Sequence, residues 1–506
     1  MDSLEQDALE VLSLVRTMKN TFTPINRIPE DVLSLVPRYR DTDKELVTLT
    51  HVCRGWRERF IACSSLWTAL DCTSVEQTRV HLERSKGSPL EICLQEEEEE
   101  GVTFLNDAFL LVVPHLDRLK SLTLSGSSDD LIQLTKYFAS PAPLLEELNL
   151  CFTGAEEPVF QDDIFDGDFS SLRELHFCGV TANLARGNLT NLRTFDLRQV
   201  PGNKMSVTRL LDLFERAPLR KIQLWDAFPD SSDAPPGQVV SLPHLKFLII
   251  NAQPAHTILL NHLSIPAGAS LKQEFDLNDD KSPFPTHLPK TLDNLKNISH
   301  ITSINLSFNS GTSLRLHGPS GTHYLYGYLI GASPSLPILD GRILQSLSLF
   351  RISMAERLAI TEYGTPLPAR TETTPVYLTL LPMKNLRILT LTNSLNLPFV
   401  FALNPNKNPS RTVVCPKLEE LFLYIMDKDK GLLCINELLE VAKERAASGS
   451  KISAIAIVCR EEFVPAKQVF RLKRYVSRVE YRLDDVAPEW DAVPADADCA
   501  DYESGW

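Results

Sequence analysis

Four short runs decide the fold. They are Leu119-Lys120-Ser121-Leu122-Thr123-Leu124, Leu145-Glu146-Glu147-Leu148-Asn149-Leu150, Leu172-Arg173-Glu174-Leu175-His176-Phe177 and Leu192-Arg193-Thr194-Phe195-Asp196-Leu197. Each carries a large apolar residue at its first, fourth and sixth positions. The fourth and sixth alternate with polar residues, which is the period of a half-buried strand. The first positions lie 26, 27 and 20 residues apart, and Leu219-Ile222-Leu224 and Leu245-Leu248-Ile250 follow at 27 and 26. One such triplet means little in a leucine-rich chain. A sustained spacing marks a repeat, because a strand of this kind cannot bury its apolar row alone and stacked copies can.

The period falls in the range of leucine-rich repeats, about 20–29 residues. Helical patterns lie between strands, at Leu131-Leu134-Phe138, Leu210-Leu211-Phe214 and Leu438-Leu439-Ala442. The expected fold class is α/β: an irregular leucine-rich-repeat solenoid over residues 88–483, with parallel strands on the concave face and helices on the convex face. The competing reading is a doubly wound α/β domain, and the regular period favours the solenoid. Later copies are Ile301-Ile304-Leu306, Leu344-Leu347-Leu349, Leu386-Leu389-Leu391, Leu418-Leu421-Leu423 and Ile452-Ile455-Ile457. Their spacing loosens, and the 56-residue step from Leu245 points to a degenerate copy at Leu271-Phe275-Leu277. Residues 95–101, 231–237, 364–375 and 404–412 read as loops, and 484–506 as an acidic, disordered tail.

Upstream of the repeats the pattern is helical. Over residues 1–23, Leu4, Ala8, Val11, Val15 and Met18 recur at spacings of four and three, an amphipathic helix. It reads as a docking helix in preference to a coiled-coil seam, since the heptads are few. Residues 24–70 form a small helical unit. Pro29 suits a first helical turn, and Val32, Leu33 and Val36 give an apolar face that Pro37 ends. Asp41, Thr42 and Asp43 are candidate caps. Leu46, Leu49, Cys53, Trp56 and Phe60 then form one stripe at helical period.

Composition narrows the function classes. The chain has 506 residues, 43% hydrophobic and 23% charged, with a net charge of -14. This is a globular composition, and its acidity argues against coating nucleic acid. Six acids within 91–101 and eight within 484–506, neither stretch holding Lys or Arg, account for the whole imbalance. The basic, aromatic-bearing stretch from Lys467 to Arg482 reads as the end of the solenoid, not a nucleic-acid surface. The acidic start lacks a signal-peptide pattern, and no run is long enough to span a membrane. The ten cysteines are scattered without C-x-x-C, pointing to a reducing compartment, cytosol or nucleus. Nucleotide-binding, hydrolase-elbow and zinc-protease motifs are absent. His256 and His262 lack partner ligands, and Cys53, Cys63 and Cys72 match no zinc finger. No enzyme activity, metal or cofactor is expected, although a novel site assembled by the fold is the rival reading.

The segment Ile28-Pro29-Glu30-Asp31-Val32-Leu33, with Leu46, Leu49, Val52-Cys53-Arg54-Gly55-Trp56-Arg57 and Leu66-Trp67, resembles an F-box. It is most similar to the boxes of the large fungal, basidiomycete-like F-box families. The repeats and the run Pro416-Lys417-Leu418-Glu419-Glu420-Leu421 extend a weaker likeness over most of the chain. The first helix departs from the family pattern near Pro37, Tyr39 and Arg40. The resemblance implies a non-catalytic substrate receptor of an SCF-type ubiquitin ligase. The box would dock on a Skp-type adaptor held by a cullin–RING ligase, and the repeats would recruit a target protein. Ile28, Pro29, Val32, Leu33, Leu46, Leu49, Val52 and Trp56 match box positions that pack internally or against the adaptor. A repeat scaffold with no ligase role is the alternative. No membrane partner is expected, and the location implied is cytoplasmic and/or nuclear. Target choice in a solenoid falls to side chains between the anchors: Glu147, Asn149, Glu174, His176, Thr194, Asp196, Gln223, Trp225, Arg387, Thr390 and Tyr424.

Overall fold

A computed structural model of the chain describes residues 2–24, 28–29, 32, 43–72, 74–95, 107–127, 137–153, 159–160, 164–167, 169–182, 187–200, 206–227, 234–251, 254–276, 292–298, 301–308, 312–317, 324–330, 350, 352–362, 374–392, 396–408, 411–425, 428–459 and 466–483. It is mixed α/β with extensive parallel sheet, and it divides into two compact units, Met1–Val200 and Pro201–Trp506. No helix among the described residues is long and apolar enough to cross a membrane.

In the first unit the elements are α1 (Asp2–Thr21), α2 (Asp43–Thr50), α3 (Arg54–Ala62), β1 (Ala69–Leu70), α4 (Val75–Ser85), β2 (Leu90–Gln95), α5 (Asp107–Val112), β3 (Leu119–Ser127), β4 (Glu147–Thr153), β5 (Val159–Phe160), β6 (Glu174–Cys178), β7 (Thr181–Ala182) and β8 (Thr194–Arg198). Strands β1, β2, β3, β4, β6 and β8 pair side by side in that order, all parallel. The short β5 and β7 pair separately.

The repeat becomes physical in the register. Leu70, Ile92, Leu122, Leu148, Leu175 and Phe195 are aligned strand to strand and all buried. Leu94, Leu124, Leu150, Phe177 and Leu197 form a second buried row two residues on. Each side chain in these rows is worth about 1.5–3 kcal/mol when removed from water. The ladder starts earlier than residue 88. Trp67, Leu70 and Cys72 take the first, fourth and sixth places of a copy, and all three are buried. Trp and Cys in place of leucine hid this copy from the pattern.

The helical stripe of residues 46–60 is not one helix. His51–Cys53 separate α2 from α3, and Cys53 is extended (φ -159°, ψ 167°). The apolar row survives the break, because Leu46, Leu49, Trp56 and Phe60 converge on one cluster with Leu66 and Trp67. Helix α1 forms where its periodicity predicts, with Leu4, Val11, Val15 and Met18 all exposed. Leu33, Val36, Pro37 and the caps Asp41 and Thr42 lie outside the described residues, as do Leu131, Leu134, residues 96–101 and 364–373, and the acidic tail.

In the second unit the elements are α6 (Val207–Arg216), β9 (Lys221–Trp225), β10 (Val240–Ser241), β11 (Phe247–Asn251), α7 (Pro254–Asn261), β12 (Leu263–Ser264), β13 (Ser270–Asp276), β14 (Ser303–Phe308), β15 (Thr312–His317), β16 (Tyr324–Ile330), β17 (Arg357–Glu362), α8 (Thr374–Leu380), β18 (Ile388–Thr392), α9 (Asn396–Leu403), β19 (Glu420–Ile425), α10 (Lys428–Ala447), β20 (Ala454–Cys459), α11 (Ala466–Leu472) and β21 (Arg478–Leu483). The lateral order is β9-β11-β13-β16-β15-β14-β17-β18-β19-β20-β21. Only β15 runs antiparallel to its neighbours among the described strands.

This order explains the 56-residue step. The chain leaves β13, passes over two lateral positions to form β14, and returns through β15 and β16 to fill them. The degenerate copy exists, but its register differs from Leu271-Phe275-Leu277. Leu271 aligns with Leu248 and Gln273 with Ile250, so they hold the fourth and sixth places, and Leu277 lies outside the described residues. The copy at Leu344-Leu347-Leu349 also lies outside them. Leu358 and Ile360 on β17 align with Leu389 and Leu391, and supply a copy that periodicity missed. Its first place holds Ala355, buried but too small to register as an anchor. The loop expected at 404–412 is locally bonded: Asn408 Nδ2 donates to the Thr412 carbonyl at 2.7 Å.

Two residues carry disproportionate strain or charge. Gly179 has φ +66°, and a Cβ there would lie 1.9 Å from the Phe152 carbonyl oxygen. Gly179→Ala is expected to cost about 3 kcal/mol or more, from left-handed backbone plus a backbone clash, read as a fall in urea midpoint. Arg445 is fully buried near the end of α10 and donates to the Val414 and Cys415 carbonyls, both at 2.8 Å. Burial pushes its pKa down to about 10. Arg445→Ala strands two carbonyls and is expected to lower stability by about 3 kcal/mol in thermal or urea unfolding.

Candidate functional site

The N-terminal helical unit and the start of the strand ladder meet at Trp67. Its indole Nε1 donates to the Phe60 carbonyl at 2.9 Å, which ties the residue to the end of α3. The His81 ring packs edge-on at 5.1 Å, and the Arg84 guanidinium lies 4.3 Å from the centre of the Trp67 ring system. His81 Nδ1 in turn bonds the Ala69 carbonyl at 2.9 Å, on β1. Ser74 caps α4 by accepting from the Gln77 N–H. The helical unit therefore runs into the first strand of the ladder without a linker. An open cleft of about 1190 Å³ lies at this junction, between Val47 and His51 of the box, Arg84 of α4, and Glu91, Thr123 and Glu147 of the strands.

The box residues separate into two groups. Leu46, Leu49 and Trp56 are at most 7% exposed and belong to the cluster that holds the helices together. Ile28 is half-buried and packs against that cluster. Pro29, Val32 and Val52 are exposed, Val52 at 57%. Val47, which sequence matching did not single out, is exposed as well. Its signal was its place directly after a buried anchor on α2. Val32, Val47 and Val52 are thus apolar side chains left exposed on this small unit.

The strand face opposite the buried rows is polar. Glu91, Ser121, Glu147, Glu174 and Thr194 are aligned in one register row, and Cys93, Thr123, Asn149, His176 and Asp196 in the next. Lys120 bridges Glu91 at 2.8 Å, and Ser121 Oγ donates to Glu147 at 3.2 Å. His176 lies between two carboxylates, with Nδ1 3.4 Å from Asp196 and Nε2 3.6 Å from Glu174. Asp196 is buried and also takes the Arg198 guanidinium, at 2.9 Å to Nη2.

Burial disfavours the charged His176 ring, but the Asp196 and Glu174 carboxylates outweigh it and push the pKa up to about 9. Burial likewise works against the Asp196 carboxylate, and His176 and Arg198 overcome it and hold the pKa below its usual value. Asp196 therefore stays ionised on this face as a paired anion.

The other face residues expected to choose a target are distributed differently. Gln223 and Trp225 are half-buried on β9, and Arg387 is exposed and paired with Glu419 at 2.8 Å. Thr390 and Tyr424 are buried, contrary to the expectation of open positions. Tyr424 lies in register between Thr392 and Val458, and neighbours in one row cover each other. His262 bonds the Gln238 carbonyl through Nδ1 at 2.8 Å. Among the described residues no cluster of three or more His, Cys, Asp or Glu side chains could hold a metal ion.

Sequence reading missed one constellation. Ser125, Cys151, Cys178 and Arg198 occupy one register row across β3, β4, β6 and β8. The cysteines lie 27 residues apart, the same interval that separates Leu145 from Leu172. The repeat period was the signal that could have paired them.

The His176–Asp196 pair yields a pH prediction. A raised His pKa contributes its full stabilisation below the unfolded value near 6.5, and loses it as pH rises toward about 9. The lowered Asp196 pKa contributes above its unfolded value near 3.8, and that part is lost in acid. Unfolding free energy by urea is expected to fall by about 2 kcal/mol between pH 6.5 and 9 on this account, and the fall is expected to vanish in His176→Gln. No protein-family model matches the chain, and a search of curated proteins finds no match.

Proposed function

We propose that the chain is a non-catalytic substrate receptor of an SCF-type ubiquitin ligase, with residues 24–70 as its F-box and the strand copies as an irregular leucine-rich-repeat solenoid. The observation that carries this reading is the pairing of two unlike surfaces. A helical unit with the Ile28-Pro29, Val52-Cys53 and Leu66-Trp67 elements presents exposed Val32, Val47 and Val52. It leads without a linker, through Trp67, into strands whose polar face carries Glu91, Glu147, Glu174 and His176, the last held by the buried Asp196.

Apolar surface on a small helical unit suits docking on a Skp-type adaptor. Charged side chains fixed on rigid strands suit selection among protein targets. Mechanistically the protein is a tether. It raises the effective concentration of target lysines near a conjugating enzyme that the cullin–RING assembly brings. The reading implies a cytosolic and/or nuclear location.

Full-length protein and purified adaptor test it by quantitative pull-down. Wild type is expected to bind the adaptor. Val52→Asp is expected to weaken binding at least about tenfold, since a charge in an apolar contact costs more than 1.4 kcal/mol. Glu174→Lys on the strand face is expected to leave adaptor binding intact and to change the set of proteins captured under proteasome inhibition. Failure of the wild-type chain to bind adaptor overturns the ligase reading and leaves a protein-binding repeat scaffold.

A further inference from the structure

The row Ser125–Cys151–Cys178–Arg198 uses chemistry that neither adaptor docking nor target selection requires. Cys151 on β4 and Cys178 on β6 are direct register partners on adjacent parallel strands. Both are half-buried, so small reagents reach them while bulk solvent is partly excluded. Register neighbours in a sheet carry their side chains on the same face, with strands about 4.8 Å apart. That separation lies within the span a disulfide can bridge.

The surroundings favour one thiolate in the pair. The Cys178 thiol hydrogen-bonds the Cys151 sulfur, and this contact is the largest influence on both groups. Together with the Ser125 hydroxyl and the Arg198 guanidinium it outweighs burial and pulls Cys151 down to about 7. Cys178 is pushed up in return, by losing its proton less readily beside Cys151 and by burial. Gln199 Oε1, 3.7 Å from the Cys178 Sγ, is the alternative acceptor for the same proton. Among the described residues the other cysteines lack this arrangement. Burial pushes Cys72, Cys415, Cys434 and Cys459 up to about 12, where a thiol is inert.

We propose that Cys151 and Cys178 form an oxidant-reactive modification site that takes hydrogen peroxide and closes to a disulfide between β4 and β6. The Cys151 thiolate attacks the peroxide, forming an S–O bond as the O–O bond breaks. Hydroxide leaves and takes up a proton as water, and Cys151 becomes a sulfenic acid. Cys178 then attacks that sulfur, the S–S bond forms, and the sulfenic oxygen leaves as a second water. One peroxide is reduced, two thiols are oxidised, and two waters are released. Parallel strands hold the two Cβ atoms farther apart than the roughly 3.8 Å of a relaxed disulfide. The bond therefore closes under strain, and strained disulfides are the readily reducible ones. The site does not depend on the ligase reading.

Full-length protein treated with increasing hydrogen peroxide, then alkylated, digested and mapped by mass spectrometry, tests the proposal. The expected product is a Cys151–Cys178 cross-linked peptide that dithiothreitol reverses. It forms at peroxide doses at least about tenfold below those that oxidise the exposed Cys93, in line with its thiolate fraction. Cys178→Ser is expected to trap Cys151 as a sulfenic acid that dimedone tags, and Cys151→Ser to leave Cys178 unlabelled. Wild-type mapping decides the matter if either variant folds poorly. Both cysteines remaining alkylatable at doses that oxidise Cys93, or a disulfide to any other cysteine, overturns the proposal.

Discussion

A strand with large apolar side chains at its fourth and sixth places cannot cover them by itself. The architecture of both units follows from that constraint. Each strand from β1 to β8 in the main ladder is laid in parallel register on the one before, so that Leu70, Ile92, Leu122, Leu148, Leu175 and Phe195 bury one another. Within each unit the buried rows are therefore shared between neighbouring strands and belong to no single strand. In the second unit the same rule tolerates a detour. The hairpin β15–β16 reverses the direction of one strand, yet the fourth-place register runs through it from Leu271 to Leu358.

Burying one side of every strand determines what the other side can do. Side chains alternate, so the residues between anchors are held in fixed rows on a rigid scaffold. This turns an ordinary interval of sequence into chemistry. Glu174, His176, Asp196 and Arg198 form a continuous charge network only because β6 and β8 align them. Cys151 and Cys178 become neighbours for the same reason. The charged row and the cysteine pair therefore follow from one packing rule, differing only in which residue types fill the rows.

Trp67 shows how the helical unit is joined to this scaffold. It is the last member of the helical cluster and the first anchor of the ladder, and its indole bonds the end of α3. The junction was half legible. Leu66-Trp67 is legible as the close of the helical unit, but no leucine marks the first strand copy, so leucine periodicity alone starts the ladder some twenty residues too late. The missed copy at Ala355-Leu358-Ile360 has the same cause: alanine occupies an anchor place where the space is small. Conversely, Leu271-Phe275-Leu277 offered the right residue types in the wrong register, because nearest-neighbour spacing cannot tell which residue faces its strand partner. The stripe through Cys53 was legible as apolar but not as broken, since two short helices can present the same row as one long one.

By itself, the sequence determined the strand period, the polar and apolar faces of each copy, the helical character of residues 43–62 and the absence of familiar catalytic motifs. These are local properties, set by alternation and spacing within one segment. Only the tertiary structure decided which box residues are core and which are exposed, that Thr390 and Tyr424 are covered, and that Ser125, Cys151, Cys178 and Arg198 share a row. Each depends on which strand lies beside which and in what register. Register is set by the collective packing of all the rows at once, a sum over contacts distant in sequence that no single segment contains.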